Sequence, residues 1–528
     1  MHVQAGLLAR SAAQWFGPQV ALTNVVGSET VSSQTFTEVN ESANRIGSGL
    51  VGMGVARGDR VGVLIYNRPE IFPIWLGFEK HNLVRTVLHT HFGMDDHVWS
   101  LNHIKATALL FDTRFTADVE AYRAKLETVQ LFVAIGPNPP EWAVAYDEVA
   151  AAGTGAEPNI DIDEDAPCFL QLTSGTTGHP KPWIKTYRSW QAVMDHNLIH
   201  FDTFGPGIPP IGTDDVNLHF HALQWAAGFQ TLYPYLIRGA RSVLVDDETF
   251  NPAEIVDTML REGVTGTFAP APLWGPILDE VEKRGGIDHQ LRRVVIFFGS
   301  ADLLDRTTEL LGPVWAHGFG STEQGAITTR LLPIDLEANP ARRNSVGRPG
   351  SPFFEVAIKD PEGKDLPTGE TGEICVRSAM SLGAYWDLPE LTAKSNFPND
   401  WFRPSDVGYL DEDGFLYYSD RAGDTISTPT GAVYPHLVEA ALARHEAVSN
   451  CGVVGIGAPG SQVPVAAVKL KAGRDPSEEL AAEIMGAVSA ELTEHERPSR
   501  IEFMDELPTV LGGAKVQRSV LREQLAQE

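Results

Sequence analysis

The stretch CFLQLTSGTTGHPK, residues 168–181, decides how the chain is read. CFLQLT (168–173) is a short apolar run with the length of a buried strand. It passes directly into TSGTTGHPK (173–181), where Gly175 and Gly178 let the backbone take angles that side chains disfavour. Successive amide N–H groups can then converge on one anion. Thr173 heads the loop, Ser174, Thr176 and Thr177 add hydroxyl donors, and Lys181 adds a point charge. The set suits a polyphosphate. It is not a Walker A loop, because no Gly-Lys-Ser/Thr follows at the required spacing.

Working outward, short apolar runs alternate with helical patterns. RVGVLI (60–65), ALLFD (108–112), LFVAIG (131–136), RSVLVDD (241–247) and RRVVIFFGS (292–300) read as further buried strands. TFTEVNESANRIGSGLVGMG (35–54) and NPAEIVDTMLREG (251–263) read as helices between them. Strand–helix alternation implies an α/β fold of βαβ units with mostly parallel sheets. After residue 420 the texture changes. A helix is expected from Pro435 to about Val448, with strands at 452–457, 465–471 and a last one at 501–507. Asp475-Pro476-Ser477-Glu478 resembles a capped helix start with Pro at the first helical position. Leu480, Ile484, Val488 and Leu492 then share one apolar face. The expected organisation is a large domain of stacked βαβ subdomains over 1–421 and a small, mobile α+β domain over 422–528.

The chain has 528 residues, 43% hydrophobic and 21% charged, which suits a globular protein with several cores. Lys+Arg 41 against Asp+Glu 69 gives a net charge of -28, which argues against a nucleic-acid or anionic-membrane surface. Cys168, Cys375 and Cys451 are far apart and form no CxxC pair, so neither a zinc site nor a disulfide framework is expected. The first residues lack a basic n-region and a long apolar stretch, and Leu7, Leu8, Ala12 and Trp15 suit an amphipathic helix. No run approaches the roughly 20 apolar residues of a membrane span, and a cytoplasmic location is expected.

TSGTTGHPK is similar to the phosphate loop of the adenylate-forming superfamily, which comprises acyl-CoA synthetases, luciferases and the adenylation domains of peptide synthetases. Other segments resemble that family in order: TFTEV (35–39), GVARGDRVGVLIYNRPE (54–70), NLHFHALQWAAG (217–228), FFGSAD (297–302), HGFGSTEQG (317–325), GEICVRSAMSLGAYW (372–386), WFRPSDVGYLDEDG (401–414) and GGAKVQR (512–518). The resemblance lies closest to the acyl-CoA synthetases and covers nearly the whole chain.

The resemblance implies activation of a carboxylic acid by ATP to an acyl-adenylate, with release of pyrophosphate, then thioester formation with CoA. A carboxylate is a poor electrophile, and the site that activates it must neutralise a triphosphate and an approaching anion. The resemblance assigns Thr173, Ser174, Gly175, Thr176, Thr177, Gly178 and Lys181 to the phosphates. Gly299, Ser300 and Ala301, with His317, Gly318, Phe319 and Gly320, go to adenine and its surroundings. Thr322 would donate to the α-phosphate, and Glu323 would ligate Mg2+, a cation that takes hard oxygen ligands. Asp406 would hold the ribose hydroxyls and Arg421 would reach ribose or phosphate. His221 would position the carboxylate, and Lys515 would bridge it to the α-phosphate once the small domain closes. His89 and His91 form HxH with no third ligand and read as loop histidines, while His219 faces away from His221.

Several residues depart from the family pattern. Pro404-Ser405 stand where the family usually has Thr-Gly, and Gly423 occupies a hinge position that is usually Asp or Lys. Ser427 and Pro429-Thr430-Gly431 alter the region that meets CoA. CoA is therefore the less secure cofactor, and hand-over of the adenylate to a partner protein stays open, as does a homo-oligomer. Ala226, Ala227, Gly228, Ser300, Ala301, Gly325 and Ala326 are small and suggest room for a bulky, largely apolar acid, long-chain, aromatic or polycyclic. Two other readings stay open: a non-catalytic nucleotide- or acyl-binding protein on the same fold, and an adenylate-using oxygenase of luciferase type.

Overall fold

The computed structural model describes residues 7–173, 179–325, 327–458, 460–489, 492–510 and 515–526, without the side chains of residues 7, 227, 510 and 515. The chain falls into two compact units. One comprises Met1–Arg343, Gly347–Glu355 and Val376–Phe402, and the other Asn344–Val346, Val356–Cys375 and Arg403–Glu528.

The first unit contains two seven-stranded sheets. One runs in the order Val144–Ala145, Leu131–Ile135, Ala108–Asp112, Arg60–Leu64, Val84–Val87, Pro167–Thr173, Lys181–Thr186. Its pairs are parallel except the last, which is antiparallel. The other runs Trp315–His317, Arg293–Phe297, Gly266–Pro270, Val216–His219, Arg241–Val245, Val20–Val26, Glu29–Thr35, again parallel up to a terminal hairpin. Ala108–Asp112 and Arg293–Phe297 are buried at every position, which is why they are apolar except for one terminal charged residue each, Asp112 and Arg293. The helix Phe36–Gly52 starts where the sequence places it, because Thr35 and Glu38 form a reciprocal capping box. Open parallel sheets bind ligands beyond the carboxyl ends of their strands. His221 follows Val216–His219, Gly299 follows Arg293–Phe297, and Gly318 follows Trp315–His317, so these segments leave one edge of one sheet.

In the second unit Asp406–Leu410 and Leu416–Arg421 form an antiparallel hairpin, which continues through Gly372 opposite Gly408. Val448–Ile456 and Val463–Leu470 pair antiparallel, and Ile501–Phe503 adds in parallel. Leu442, Val453, Val468, Ile484 and Val488 form the core beneath them, with Leu480 and Leu492 packed at its border.

Four local expectations change. In the helix Leu7–Phe16, Ala9 and Ala12 are buried while Trp15 is 69% exposed, so the apolar face is shifted from the one Trp15 suggested. The helix from Pro435 ends at Leu442, because Val448 already opens the next strand. The helix Glu478–Ser489 starts later than Pro476 suggested: the Leu480 N–H donates to the Ser477 hydroxyl at 3.1 Å, which makes Ser477 the cap. Ile501–Phe503 is not the last strand, since Thr509–Val510, Lys515–Val516 and the helix Arg518–Leu525 follow. Among the described residues, no helix is long and apolar enough to cross a membrane.

Candidate active site

The two ends of the phosphate-loop segment close the antiparallel pair Pro167–Thr173 and Lys181–Thr186 in the first sheet. Thr173 and Lys181 face each other in register at those ends, and the Thr173 hydroxyl donates to the Lys181 carbonyl at 3.3 Å. Ser174, Gly175, Thr176, Thr177 and Gly178 lie outside the described residues.

At the edge of the other sheet, the Phe319 N–H donates to the Thr329 hydroxyl at 3.2 Å. A Cβ on Gly299 would lie 3.5 Å from His317 Nδ1, so these two candidate segments are neighbours. A Cβ on Gly318 would fall 2.5 Å from the Thr329 carbonyl, which explains the glycine there. His317 is buried, its Nδ1 bonds the Ile296 carbonyl at 3.1 Å, and burial pulls its ring down to about 4. Ser300 spends its hydroxyl on the Leu303 N–H at 3.2 Å, capping the helix Ala301–Leu311. Gly320 is half-buried.

His221 is buried: Phe268 packs edge-on at 5.2 Å, Nδ1 faces the Ala222 carbonyl at 3.4 Å, and Nε2 has no hydrogen-bond partner among the described residues. Burial pulls its ring down to about 4, so it is neutral at pH 7 and offers one unsatisfied nitrogen. Asn67 fixes the backbone around it, donating to the His221 carbonyl at 2.9 Å and accepting from the Leu223 N–H at 3.0 Å. His219 is likewise buried and bonds Asn217 at 2.9 Å, a core histidine, but its ring lies edge-on 6.4 Å from that of His221, so it does not face away from it as expected. Of the HxH pair, His91 is exposed, whereas His89 is buried with Nε2 at 3.3 Å from the Leu172 carbonyl, beneath the start of the phosphate loop.

Thr322 and Glu323 are half-buried in a turn. Glu323 Oε1 accepts from the Tyr385 hydroxyl at 2.9 Å. Beneath that turn Lys185 is fully buried. Its ammonium donates to the Met380 carbonyl at 2.6 Å and to the Glu323 carbonyl at 3.3 Å. Burial pulls Lys185 down to about 7, opposed by the Glu323 carboxylate. Among the described residues no group of three or more His, Cys, Asp or Glu is placed to hold a metal. A lone, solvent-reached carboxylate fits Mg2+, which binds through one or two carboxylates and completes its shell with water and substrate phosphates.

In the second unit Asp406 is buried and faces Arg421 across the hairpin, Arg421 Nε to Asp406 Oδ1 3.6 Å. Ser405 has φ +64°, the left-handed backbone for which a glycine is the ordinary choice. The chain thus keeps the turn of the Thr-Gly pattern with serine in place of glycine. Lys515 pairs with Val510 in a short hairpin, and its side chain lies outside the described residues. The following helix is anchored by Arg518, which bonds Glu439 at 2.7 Å and lies 3.3 Å from Asp424.

Two of the small residues that suggest acyl-pocket volume are small for packing reasons. A Cβ on Gly228 would lie 2.8 Å from Leu223 Cα, and one on Gly325 would lie 2.7 Å from Lys185 Nζ. Ala326 and the Ala227 side chain lie outside the described residues. Tyr385, Lys185 and Asn67 were not singled out from the sequence. Tyr385 stands inside a family-like segment, but strand alternation around Lys185 gives no sign of its buried partners.

A family model described as "AMP-binding enzyme" matches residues 8–386, and one described as "AMP-binding enzyme C-terminal domain" matches residues 437–511. A long-chain-fatty-acid–CoA ligase of Thermus thermophilus is 29% identical over 527 residues, 97% of this chain and 94% of that protein. A 2-succinylbenzoate–CoA ligase of Geobacillus kaustophilus is 30% identical over 509 residues, 94% of each. Among solved structures, an anthranilate CoA ligase in complex with anthranoyl-AMP matches with a TM-score of 0.89 at 25% identity, over 100% of this chain and 98% of that one.

Proposed function

We propose that this chain, which belongs to the AMP-binding enzyme family, is an acid–thiol ligase that makes acyl-CoA from a carboxylic acid, ATP and CoA. A carboxylate oxygen attacks the α-phosphorus, the α–β anhydride bond breaks, and pyrophosphate leaves. The CoA sulfur then attacks the acyl carbon and AMP departs with the anhydride oxygen. The observation that carries this reading is the match of the family model across residues 8–386, a span that holds the strand pair flanking the phosphate loop and the Thr322-Glu323 turn.

Within it, we assign Thr173, Lys181 and the loop between them to the phosphates, and Thr322 to the α-phosphate. The backbone of 299–301 and 317–320 faces adenine, with Phe319 stacked on the base. Asp406 accepts from the ribose hydroxyls, and Arg421 reaches ribose or phosphate. Mg2+, when bound at Glu323, neutralises phosphate charge and orients the pyrophosphate as a leaving group. His221, neutral and buried, sits at the substrate carboxyl end and positions it. Residues 422–528 turn as a lid, bringing Lys515 to the carboxylate and α-phosphate for the first step.

The proposed acid is bulky and largely apolar. What supports this is the small side chain of Ala301 and the apolar surroundings of His221; the relatives above include a ligase named for long-chain fatty acids. ATP and CoA as co-substrates place the work in the cytoplasm. A pyrophosphate-exchange screen across aliphatic, aromatic and polycyclic acids tests the reading: exchange with an apolar acid supports it, and no exchange with any acid removes it.

A further inference from the structure

Lys185 lies on the strand Lys181–Thr186, which leaves the phosphate loop, and its side chain runs inward with no carboxylate in ion-pair contact among the described residues. Taking an ammonium out of water is costly unless its protons are satisfied. Here the acceptors are backbone: the Met380 carbonyl at 2.6 Å and the Glu323 carbonyl at 3.3 Å. A packing role alone would be met by Met or Leu at no such cost. Gly325, two residues past Glu323, has φ +90°, and a Cβ there would lie 2.7 Å from Lys185 Nζ and 2.8 Å from the Met380 carbonyl. The turn that carries Glu323 is therefore shaped around this ammonium. The segment that supplies Met380 also supplies Tyr385, whose hydroxyl holds the Glu323 side chain at 2.9 Å.

We infer that Lys185 is a positioning residue for Glu323: it pins the Glu323 backbone from below, while Tyr385 holds the carboxylate, so that a metal–nucleotide complex meets a preset ligand. This inference rests on the family reading given above. Lys185 touches neither substrate nor metal; it acts through the turn. It also ties the strand leaving the phosphate loop to the Thr322-Glu323 turn, so the two phosphate-facing segments keep one spacing.

The test is a double-mutant cycle on the full-length chain, read by calorimetric titration of Mg2+ at fixed ATP rather than by turnover. Wild type, Lys185→Met, Glu323→Gln and the double variant are compared. Loss of an outer-shell partner costs on the order of tenfold in metal affinity. We expect Lys185→Met to raise the Mg2+ half-saturation about tenfold when Glu323 is present, and by less than about twofold in the Glu323→Gln background. Equal shifts in both backgrounds, or no shift in the first, overturn the inference. Thermal melts accompany each protein. Where Lys185→Met fails to fold, Lys185→Gln, which keeps a buried donor, enters the same cycle; failure of both variants to fold makes Lys185 a folding residue and also overturns it. A wild-type protein that binds no Mg2+·ATP fails the family reading instead, before any variant is compared.

Discussion

The Tyr385 hydroxyl donates to Glu323 Oε1 at 2.9 Å, joining two segments of the first unit that are 62 residues apart. A carboxylate with one oxygen already held has fewer orientations to lose when it meets a cation. Tyr385 also packs edge-on against Trp183 at 4.9 Å, so the phenol is itself fixed by the strand that leaves the phosphate loop. We expect Tyr385→Phe, which keeps the ring and removes only the donor, to lower adenylate formation by about tenfold, recovered in part by excess Mg2+. Pyrophosphate exchange across a Mg2+ series checks this; a Mg2+ curve that overlays wild type removes Tyr385 from the site.

Lys515→Ala is expected to slow adenylate formation by roughly 10²-fold or more, the scale for one preorganised donor to a developing charge. ATP affinity should stay near wild type, because the assigned nucleotide contacts lie mostly in the first unit. Single-turnover quench measurements with separate ATP titrations check both halves. Adenylation by the variant at wild-type rate would release Lys515 from its role.

Glu79 is buried with the Tyr233 hydroxyl 2.5 Å from its Oε1 and Arg85 3.7 Å away. Burial raises its carboxyl from 4.5 to about 7, against the pull of Arg85. The folded value lies above the unfolded one, so over that range the native state binds more protons. Stability from this group is fully present below the unfolded value and is lost as pH rises through the folded value. We expect Glu79→Gln to flatten the decline in unfolding free energy from about pH 5 to about pH 8. Denaturant melts over a pH series measure it; an unchanged slope would mean that Glu79 does not titrate in the fold.

Among the described residues nothing lies within 4 Å of where a Gly423 Cβ would stand, and its backbone is not left-handed, so the site accepts a side chain without strain. As it stands, it offers no group to define the two orientations a two-step ligase needs. We expect pyrophosphate to outpace acyl-CoA in the wild-type protein, and Gly423→Asp to narrow the gap with stability changed by no more than about 0.5 kcal/mol. Following both products in one tube decides it. Equal rates in the wild type would show that glycine serves as well as a charged hinge.

His221 gives a fifth handle through its ring, which burial holds near 4. The unfolded ring binds its proton at higher pH than the folded one, so stability from this group is present above the unfolded value and falls as pH drops toward the folded one. The His221 ring signals should therefore stay those of neutral imidazole from about pH 8 down to about pH 5 in a nuclear magnetic resonance titration. A midpoint near the free-histidine value would show that the ring is open to water.

The sequence by itself determined the alternating elements of the first unit and the family. Each is written locally: CFLQLT is apolar because both faces of its strand are covered, and Thr35 with Glu38 closes its own helix end. Only the tertiary structure decided what surrounds these segments. Trp15 and Ala12 are equally apolar letters on one helix, and which of them is buried depends on what the helix packs against. Gly228 and Gly325 read as empty space until the Leu223 backbone and the Lys185 ammonium are seen beside them. The sequence marks nothing at Lys185; only the fold brings the Met380 and Glu323 carbonyls, far along the chain, onto it. Hydrogen bonds to backbone leave no trace in side-chain identity, because every residue carries the same carbonyl.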